Sequence, residues 1–379
     1  MNKLLIGFLT IITLNIALSQ DEFFTPGYSI GGYGELHWNQ AFEEDNQTKN
    51  TLDFHRFIIY YGYNWTDKWS FKSEVELEHN YVKNGQGELE LEQAYVNYHA
   101  GNWGFQGGVI LQSVGLLNEY HEPPLFLSVE RPTYNKYIIP TTWFANGFAF
   151  YGNYSDFGFR LTMIEDLNGN DISNGIRSSR AKGYESSSEN WTKNLSLNYT
   201  GFNGLRLGTS ITMNDAPRSE EYTNDDDDVI SYKDVIGVSL MEFNAKYDAN
   251  NIYAVFEYCK INYTDNYHWI SKIEDDLDTH DVNETTAGYL ENYKSSSGYY
   301  FDLGYNIGSI LGCEGKIISW IRSSNVSKVD NMDSQTSDIF RYGLTWWPIN
   351  NIAFKADFGK VKVGDEETTE INIGFGYNF

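Results

Sequence analysis

The chain has 379 residues, and its 52 aspartates and glutamates against 27 lysines and arginines give a formal net charge of −25. Such acidity argues against nucleic acid as a partner, because binding nucleic acid normally needs a basic patch. Aromatic residues make up 16% of a chain whose overall hydropathy is low. A β-barrel with lipid outside and water inside explains that combination, and a carbohydrate-binding β protein is the alternative.

The first nineteen residues have the pattern of a secretory signal peptide. Lys3 supplies the positive charge, residues 4–14 form an apolar stretch, and residues 17–19 form a small-x-small cleavage site. We expect cleavage after Ser19, leaving residues 20–379 as one domain. No later segment is long and apolar enough for a transmembrane helix. A location in a membrane would therefore require a closed barrel, which satisfies every backbone polar group in lipid.

Alternating side chains predict sixteen strands along the rest of the chain. In the third, Phe71 and Val75 point to one face while Lys72 and Glu74 point to the other. The fourth changes phase near Glu92, which indicates a β-bulge. The predicted strands are 28–38, 52–65, 68–79, 88–99, 103–110, 143–153, 157–166, 191–200, 204–213, 235–247, 252–262, 298–306, 313–322, 339–347, 352–361 and 368–379.

The connections between these strands alternate in length. Every second one is a short turn, as at 66–67 and 100–102, whereas most of the others are long and polar: 39–51, 111–142, 166–190, 214–234, 263–297 and 323–338. Two, at 80–87 and 362–367, are shorter but polar. A soluble sandwich has no reason to segregate its loops in this way, whereas a bacterial outer-membrane barrel does. We therefore predict an all-β protein, a transmembrane antiparallel barrel of sixteen strands with short periplasmic turns and long extracellular loops.

The last strand gives a further indication of an outer-membrane barrel. Its alternation places Phe375, Tyr377 and the final Phe379 on one face. This pattern is typical of the carboxyl-terminal signal by which the barrel-assembly machinery reads an outer-membrane protein. We expect this strand to close the barrel against the strand at 28–38. Deletion of Phe379 is expected to impair insertion more than it alters the conductance of the protein that inserts.

The connection at 111–142 differs in kind from the other loops. It is apolar and rich in proline, and a solvated loop has no use for residues such as Leu116, Phe126 and Ile138. We expect this third outer loop to fold inward against the barrel wall and to narrow the aqueous channel that sixteen strands leave open. Only residues 20–27 precede the first strand, which is too short a stretch for a plug.

Several blocks of sequence resemble those of porin-like relatives of the phosphate-selective porin family. They are LDFHR at 52–56, ELEQAY at 90–95, HEPP at 121–124, VERP at 129–132 and IIPTTW at 138–143. The likeness is strongest from about 50 to 155 and is mainly architectural beyond. It implies a trimeric outer-membrane diffusion channel whose third outer loop forms the constriction.

The charges predicted to line the channel are mixed in sign. The resemblance implies that phosphate selectivity in that family comes from a funnel of arginine and lysine side chains along the lumen. Rows of charge of one sign set ion preference, whereas rows of both signs occur here. If the acids crowd the third and fourth strands and the loop, they are expected to face basic strands across the opening. The inward-phase and loop residues are Arg56, Lys72, Glu74, Glu76, Glu78, Glu90, Glu92, Arg160, Arg206, Arg341, Lys355 and Asp357 on strands, and Glu119, His121, Glu122, Glu130 and Arg131 in the loop.

Each of these features has a simpler interpretation. Any inward glutamate or arginine is expected to be solvated or ion-paired. His121 beside Glu119 and Glu122 suggests a metal site only weakly, and a hydrogen bond within the loop is the stronger expectation, so we predict neither metal nor cofactor. The acidic run at 225–228 is expected to be a solvated loop, with divalent-cation binding as the alternative. Cys259 and Cys313 are expected to be unpaired and packed.

These inferences favour passive diffusion of small hydrophilic solutes or ions through the outer membrane of a Gram-negative bacterium. The partners would be outer-membrane lipid, lipopolysaccharide, the assembly machinery and two further copies of the chain. The alternatives are a phosphate- or anion-selective channel and a surface-exposed structural or adhesive barrel. A barrel lipase would need a serine and a histidine together on the lipid face. His55 and His79 have no evident serine partner, so we predict no enzyme.

Overall fold

The computed structural model describes residues 25–44, 46–83, 86–172, 175–223, 229–264 and 294–379. These residues form sixteen antiparallel strands that close into one barrel, which confirms the predicted fold class and strand number. The signal sequence at 1–19 and the acidic run at 225–228 lie outside the described residues. The strands are β1 Gly27–Glu43, β2 Asn46–Asn64, β3 Trp69–Lys83, β4 Gln86–Ala100, β5 Trp103–Leu111, β6 Phe144–Tyr154, β7 Phe157–Ile164, β8 Thr192–Phe202, β9 Leu205–Thr223, β10 Val229–Ala249, β11 Ile252–Thr264, β12 Ser295–Asn306, β13 Lys316–Ser327, β14 Thr336–Ile349, β15 Ile352–Val363 and β16 Glu366–Asn378.

The barrel closes between β1 and β16, as predicted. Tyr33 pairs with Asn378 at one end of this seam and Glu43 pairs with Thr368 at the other. The seam extends to Phe379, whose amide donates to the Gly32 carbonyl at 2.9 Å while the Gly32 amide donates to the Phe379 carbonyl at 3.0 Å. Every strand therefore has two hydrogen-bonded neighbours, and no edge is left unpaired.

Alternation along the strands sorts side chains as the sequence predicts. On β3, Val75 is 39% exposed on the outer surface, whereas its neighbours Glu74 and Glu76 are buried inside. The predicted β-bulge is present, because Glu74 pairs with Gln93 while Val75 pairs with Leu91 and leaves Glu92 as the extra residue. Large apolar side chains exposed on the outside make a surface suited to lipid.

One rim of the barrel carries the short connections, and we call it the short-turn rim. The turn at 250–251 has φ values of 52° and 63° at its two asparagines, the conformation of a type I′ hairpin turn, which asparagine adopts readily. On the opposite, long-loop rim, several connections are shorter than predicted. The predicted connections at 39–51, 80–87, 214–234 and 362–367 are mostly strand. For example, β1 runs to Glu43 and β2 begins at Asn46, while β9 runs to Thr223 and β10 begins at Val229. These extensions are mostly polar, so alternating hydrophobicity does not reveal them.

In the part of the chain that the structure describes, helical structure is confined to short pieces. They are the helical turns α1 Tyr134–Tyr137 and α2 Gly308–Leu311, and the 3-10 turns Pro123–Leu125, Gly169–Asp171 and Asp333–Gln335. The described residues contain no helix long and apolar enough to cross a membrane. Cys259 and Cys313 are both unpaired, but the expectation that Cys313 is packed is wrong. It is exposed because β13 begins only at Lys316 and leaves Cys313 in a turn.

Candidate functional site

Residues 112–143, which connect β5 to β6, lie inside the barrel, and we call them the inward segment. Val114, Leu127 and Ile139 in this segment have no exposed surface. The segment enters and leaves the lumen at one point, where the Gln112 amide donates to the Trp143 carbonyl at 2.9 Å. The segment therefore lies within the ring of strands.

Asn118 ties the two ends of the inward segment together. Its Nδ2 donates to the carbonyl oxygens of Gln112 at 2.6 Å and Trp143 at 3.0 Å, and its Oδ1 accepts from the Trp143 amide at 2.7 Å. All three groups are buried, where an unmade hydrogen bond costs about 1–3 kcal/mol. One side chain therefore satisfies the backbone groups that a non-strand connection leaves open inside the barrel.

The inward segment crosses the lumen from wall to wall. The Leu116 amide donates to Glu257 of β11 at 3.1 Å, and the Val129 amide donates to Asp357 of β15 at 2.7 Å. On the opposite side His121 lies against β3 and β4, eight strands from β11 in a ring of sixteen. Further anchors run from Thr345 to the Leu127 carbonyl at 2.6 Å, from Lys355 to the Ser128 carbonyl at 2.8 Å and from Trp347 to the Pro124 carbonyl at 2.9 Å.

The inner wall has an apolar half, formed mainly by β10 to β14. Inward-facing side chains there join those of the inward segment in one buried hydrophobic cluster. Ile138 packs near Gly298, and the Tyr134 ring lies 5.6 Å from that of Tyr300. The cluster includes Val114, Leu116, Leu127, Tyr134, Ile138 and Ile139 from the segment and Leu240, Val255, Cys259, Ile261, Tyr300 and Trp320 from the wall. Apolar packing therefore fills much of this half of the lumen, around a cavity of about 280 Å³ that Arg206, Lys246 and Asp302 also line.

The small inward face of β16 makes room for the inward segment. A Cβ atom at Gly376 would lie 2.2 Å from the Cβ of Pro123, and one at Gly374 would lie 2.9 Å from Val129 Cγ1. No side chain fits at such separations unless the segment moves. The alternation of glycine and asparagine in the last strand thus serves segment docking as well as strand formation.

We expect Gly376→Val to lower the free energy of unfolding by about 1–3 kcal/mol, the usual cost of overpacking a tight site. Denaturant unfolding of detergent-folded protein, followed by tryptophan fluorescence, measures this change. Gly27→Val is the matched control, because the nearest atom to its added Cβ is 4.0 Å away. Equal stability of the two variants would contradict close packing of Pro123 on β16.

The other half of the inner wall, around β1 to β4, is charged. Arg56 of β2 pairs with Glu35 at 2.7 Å and with Glu76 at 3.1 Å. His37 bridges Glu35 at 3.1 Å and Glu130 of the inward segment at 2.9 Å. Burial alone would raise the pKa of Glu130, but the hydrogen bond and charge of His37 outweigh it and lower that pKa to about 2. Glu130 is therefore anionic at neutral pH.

His121 occupies the contact between the inward segment and β3–β4. Its Nδ1 lies 3.0 Å from the Asn118 carbonyl, so the hydrogen bond expected within the loop is present. Its Nε2 faces Glu74 at 3.4 Å and Glu92 at 3.5 Å. Glu119 and Glu122, which the sequence placed beside it, turn elsewhere. Glu119 accepts from Ser113 at 2.8 Å, and Glu122 lies 3.5 Å from the Tyr60 hydroxyl.

Polar cavities lie on both sides of this contact. The inner cavity, towards the short-turn rim, has a volume of about 460 Å³. Its lining includes Tyr60, Lys72, Glu74, Glu119, His121 and Arg160. Two outer cavities, of about 530 and 650 Å³, lie towards the long-loop rim and share His55, Glu130, Arg131 and Lys136. Glu74 lines the inner side and Glu92 the outer side, so the contact of His121 with β3–β4 separates the inner cavity from the outer ones.

A second connection, between β7 and β8, supplies cations that the sequence analysis missed. Arg177, Arg180 and Lys182 line an outer cavity opposite Glu88 and Glu90. Lys182 lies 3.5 Å from Glu88 and in close contact with Glu90. Burial, then the charge of Arg177, lowers the pKa of Arg180 to about 10, which leaves it charged at neutral pH. The available signal was a set of apolar residues in a largely polar loop, Leu167, Ile172 and Ile176, all of which are buried.

The remaining predicted channel residues are dispersed. Arg160 donates to Gln106 at 2.7 Å, and Arg206 lies over the Tyr120 ring at 5.2 Å. Arg341 is bound to Asp357 at 2.6 Å and to Glu370, and it lines an outer cavity as part of this ion pair. The acids of β3 and β4 were expected to face basic strands across the lumen. In the structure their cationic neighbours are instead Arg56 on the adjacent strand β2 and side chains of two connections, β5–β6 and β7–β8.

No known protein-family model matches the chain. A protein of Aquifex aeolicus (strain VF5), described as uncharacterized, is 28% identical over 359 residues, which cover 91% of this chain and 78% of that protein. The anion-selective porin from Comamonas acidovorans superposes with a TM-score of 0.57 at 10% identity, over 94% of this chain and 100% of the other. OmpT of Vibrio cholerae in its trimer form gives 0.55 at 11% identity, over 94% and 100%. The chain therefore has the fold of outer-membrane porins.

Proposed function

We propose that this protein is an outer-membrane porin, a water-filled channel for passive diffusion of small hydrophilic solutes or ions. The observation that carries the proposal is the pair of polar regions, one on each side of the inward segment, along the charged half of the wall. Solutes would pass beside β1 to β4, because apolar packing fills much of the opposite half of the lumen and the cavity left there is smaller. The constriction lies where His121 and Arg131 approach β2, β3 and β4.

The outer surface supports a location in the outer membrane. Phe148, Leu161, Phe340 and Ile373 are each 47–51% exposed on the outside of the barrel, where only lipid suits a continuous apolar band. The short-turn rim would face the periplasm, and lipopolysaccharide would surround the long-loop rim. We propose a homotrimer, which chemical crosslinking in native membranes would test, and assembly through the strand that ends at Phe379.

The arrangement does not favour an enzyme. The two histidines considered for a lipase, His55 and His79, both bind Asp53, at 3.1 and 2.9 Å, and all three line an outer cavity inside the barrel. They are therefore remote from the lipid face on which a barrel lipase works. We propose a role without catalysis.

An anion-selective channel is the second candidate. Arg131, Lys136, Arg177, Arg180 and Lys182 all line one outer cavity and form a basic surface at the approach to the constriction. Glu76, Glu78, Glu88, Glu90 and Glu92 line the same cavity, so both signs of charge meet a solute there. We propose that this mixture selects polar, zwitterionic or charged small solutes, and phosphate selectivity is the alternative.

Planar-bilayer recordings of the purified protein test the proposal. Stepwise conductance is the expected result, and its absence from correctly folded protein would contradict a channel. The reversal potential in a salt gradient then reports ion preference. Strong anion selectivity with block by low concentrations of phosphate would favour the second candidate.

The glutamates of the inward segment should influence that preference. We expect the variant Glu119→Gln, Glu122→Gln, Glu130→Gln to shift the reversal potential towards anions, because anionic rows at a constriction favour cations. A matched control removes Glu43, Glu44 and Glu366, three exposed acids of the long-loop rim that line none of the described cavities. Equal shifts in both variants would mean that the segment does not define the constriction.

A further inference from the structure

Three buried polar atoms converge at the boundary between the inner and outer cavities. They are Glu74 Oε1, Glu92 Oε2 and His121 Nε2, and all three lie within 4.8 Å of one another. The residues are 1%, 2% and 2% exposed. None of these atoms has a hydrogen-bond partner of acceptable geometry. Unsatisfied buried polar groups are costly, so three that point at one place need an explanation.

The distances are long for hydrogen bonds. His121 Nε2 lies 3.4 Å from Glu74 Oε1 and 3.5 Å from Glu92 Oε2, whereas an N–H···O hydrogen bond spans about 2.7–3.2 Å. They match the spacing of atoms that share a metal ion. Tetrahedral zinc with bonds of about 2.0–2.1 Å holds neighbouring ligand atoms about 3.3–3.4 Å apart.

The surrounding groups orient the three ligands. His121 Nδ1 lies 3.0 Å from the Asn118 carbonyl and donates to it, so in the neutral ring Nε2 carries the lone pair, and Nε2 faces the two carboxylates. The second oxygen of Glu74 accepts from Gln93 Nε2. Metal-binding histidines commonly donate their other ring nitrogen to a carbonyl, and metal-binding carboxylates are commonly hydrogen-bonded in turn.

We propose that Glu74, Glu92 and His121 bind a first-row divalent transition-metal ion, of which Zn²⁺ is the type. Two carboxylates and one imidazole suit such an ion, and a fourth position would be left for water. The local charge supports a cation. Two carboxylates, of Glu74 and Glu92, face the single imidazole of His121 at this point.

The ion would have a mechanical consequence. It would fasten the inward segment to β3 and β4, on the side of the lumen opposite its anchors on β11. It would also occupy the boundary between the cavities. Metal binding itself needs only the folded barrel, so it is measured independently of conductance, and failure of the site leaves the channel proposal standing.

The experiment measures Zn²⁺ bound to full-length, detergent-folded protein after treatment with EDTA and dialysis against ZnCl₂. We expect one Zn²⁺ per chain by elemental analysis and at least a 100-fold loss of affinity in His121→Ala and in Glu92→Gln. Heat-modifiable migration on gels verifies that each variant is folded. For wild-type protein alone, X-ray absorption should show one nitrogen and carboxylate oxygens at about 2.0–2.1 Å, a readout that does not depend on the variants.

Two controls separate this site from neighbouring clusters. Asp53→Asn disrupts the half-exposed cluster of Asp53, His55 and His79, and Glu122→Gln alters an acid near His121 that is not a ligand. Both should bind Zn²⁺ as wild type does. Absence of stoichiometric Zn²⁺ from the wild type would overturn the proposal, as would binding that survives His121→Ala or disappears in Asp53→Asn.

Discussion

Asp302→Ala is expected to lower the free energy of unfolding by about 3–5 kcal/mol. Asp302 binds Arg322 through two parallel contacts, Nε to Oδ1 at 2.6 Å and Nη2 to Oδ2 at 2.7 Å, and the residues are 2% and 3% exposed. The third arginine nitrogen donates to Ser128 of the inward segment at 2.7 Å. Removal of Asp302 leaves a buried guanidinium group without its counter-ion and weakens an anchor of the segment.

Denaturant unfolding in detergent micelles measures this loss. The informative control is the double variant Asp302→Leu, Arg322→Met, which should be far closer to wild type, because replacing both partners of a buried ion pair by apolar residues is often neutral or stabilising. Equal destabilisation by the single and double variants would show that packing, and not the unpaired charge, sets the cost.

Replacement of residues 114–141 by a Gly-Ser linker of about four residues is expected to raise single-channel conductance several-fold. Ends at Ser113 and Thr142 suit such a linker, because Leu111 already pairs with Phe144 and hairpin loops commonly span 2–5 residues. Without the inward segment the sixteen-stranded ring encloses a wide aqueous lumen. The strand hydrogen bonds do not involve the segment, so the ring itself is expected to persist.

Bilayer recordings compare this variant with the triple glutamine variant of the inward segment, which changes charge and leaves volume unchanged. The glutamine variant should shift selectivity while its conductance stays within about twofold of wild type, since neutralising rim or constriction charges alters ion preference more than pore width. A conductance unaffected by excision would place the limiting barrier outside residues 112–143.

The strand framework was predictable because it depends on local alternation. All sixteen strands, the seam between β1 and β16 and the bulge at Glu92 followed from side-chain period and turn length. Strand ends on the long-loop rim were not predictable, since most residues there are polar and do not alternate with apolar ones. The apolar residues of the connection at 111–142 revealed that it packs, but not that it crosses the whole lumen.

The partners of the charged residues could not be read from the sequence. Glu74 and Glu92 come to His121 through a barrel register and a loop path that no local pattern encodes, and the sequence pointed instead to the adjacent Glu119 and Glu122. Arg180 and Lys182 belong to a connection that the sequence analysis interpreted only as a long polar loop. The inward direction of apolar residues such as Val255 and Ile261 could not be recognised either, because a strand that is apolar on both faces shows no alternation.

The anchors of the inward segment impose an order on biogenesis. Leu116 binds a residue 141 positions further along the chain, and Val129 binds one 228 positions further. Those contacts cannot form until the distal strands have been made and delivered. Until then, Leu127, Ile138 and the apolar face of β11 are uncovered together, in a compartment where exposed apolar chains aggregate. The apolar surfaces of the inward segment and of β11 are therefore buried only after these distal strands are in place.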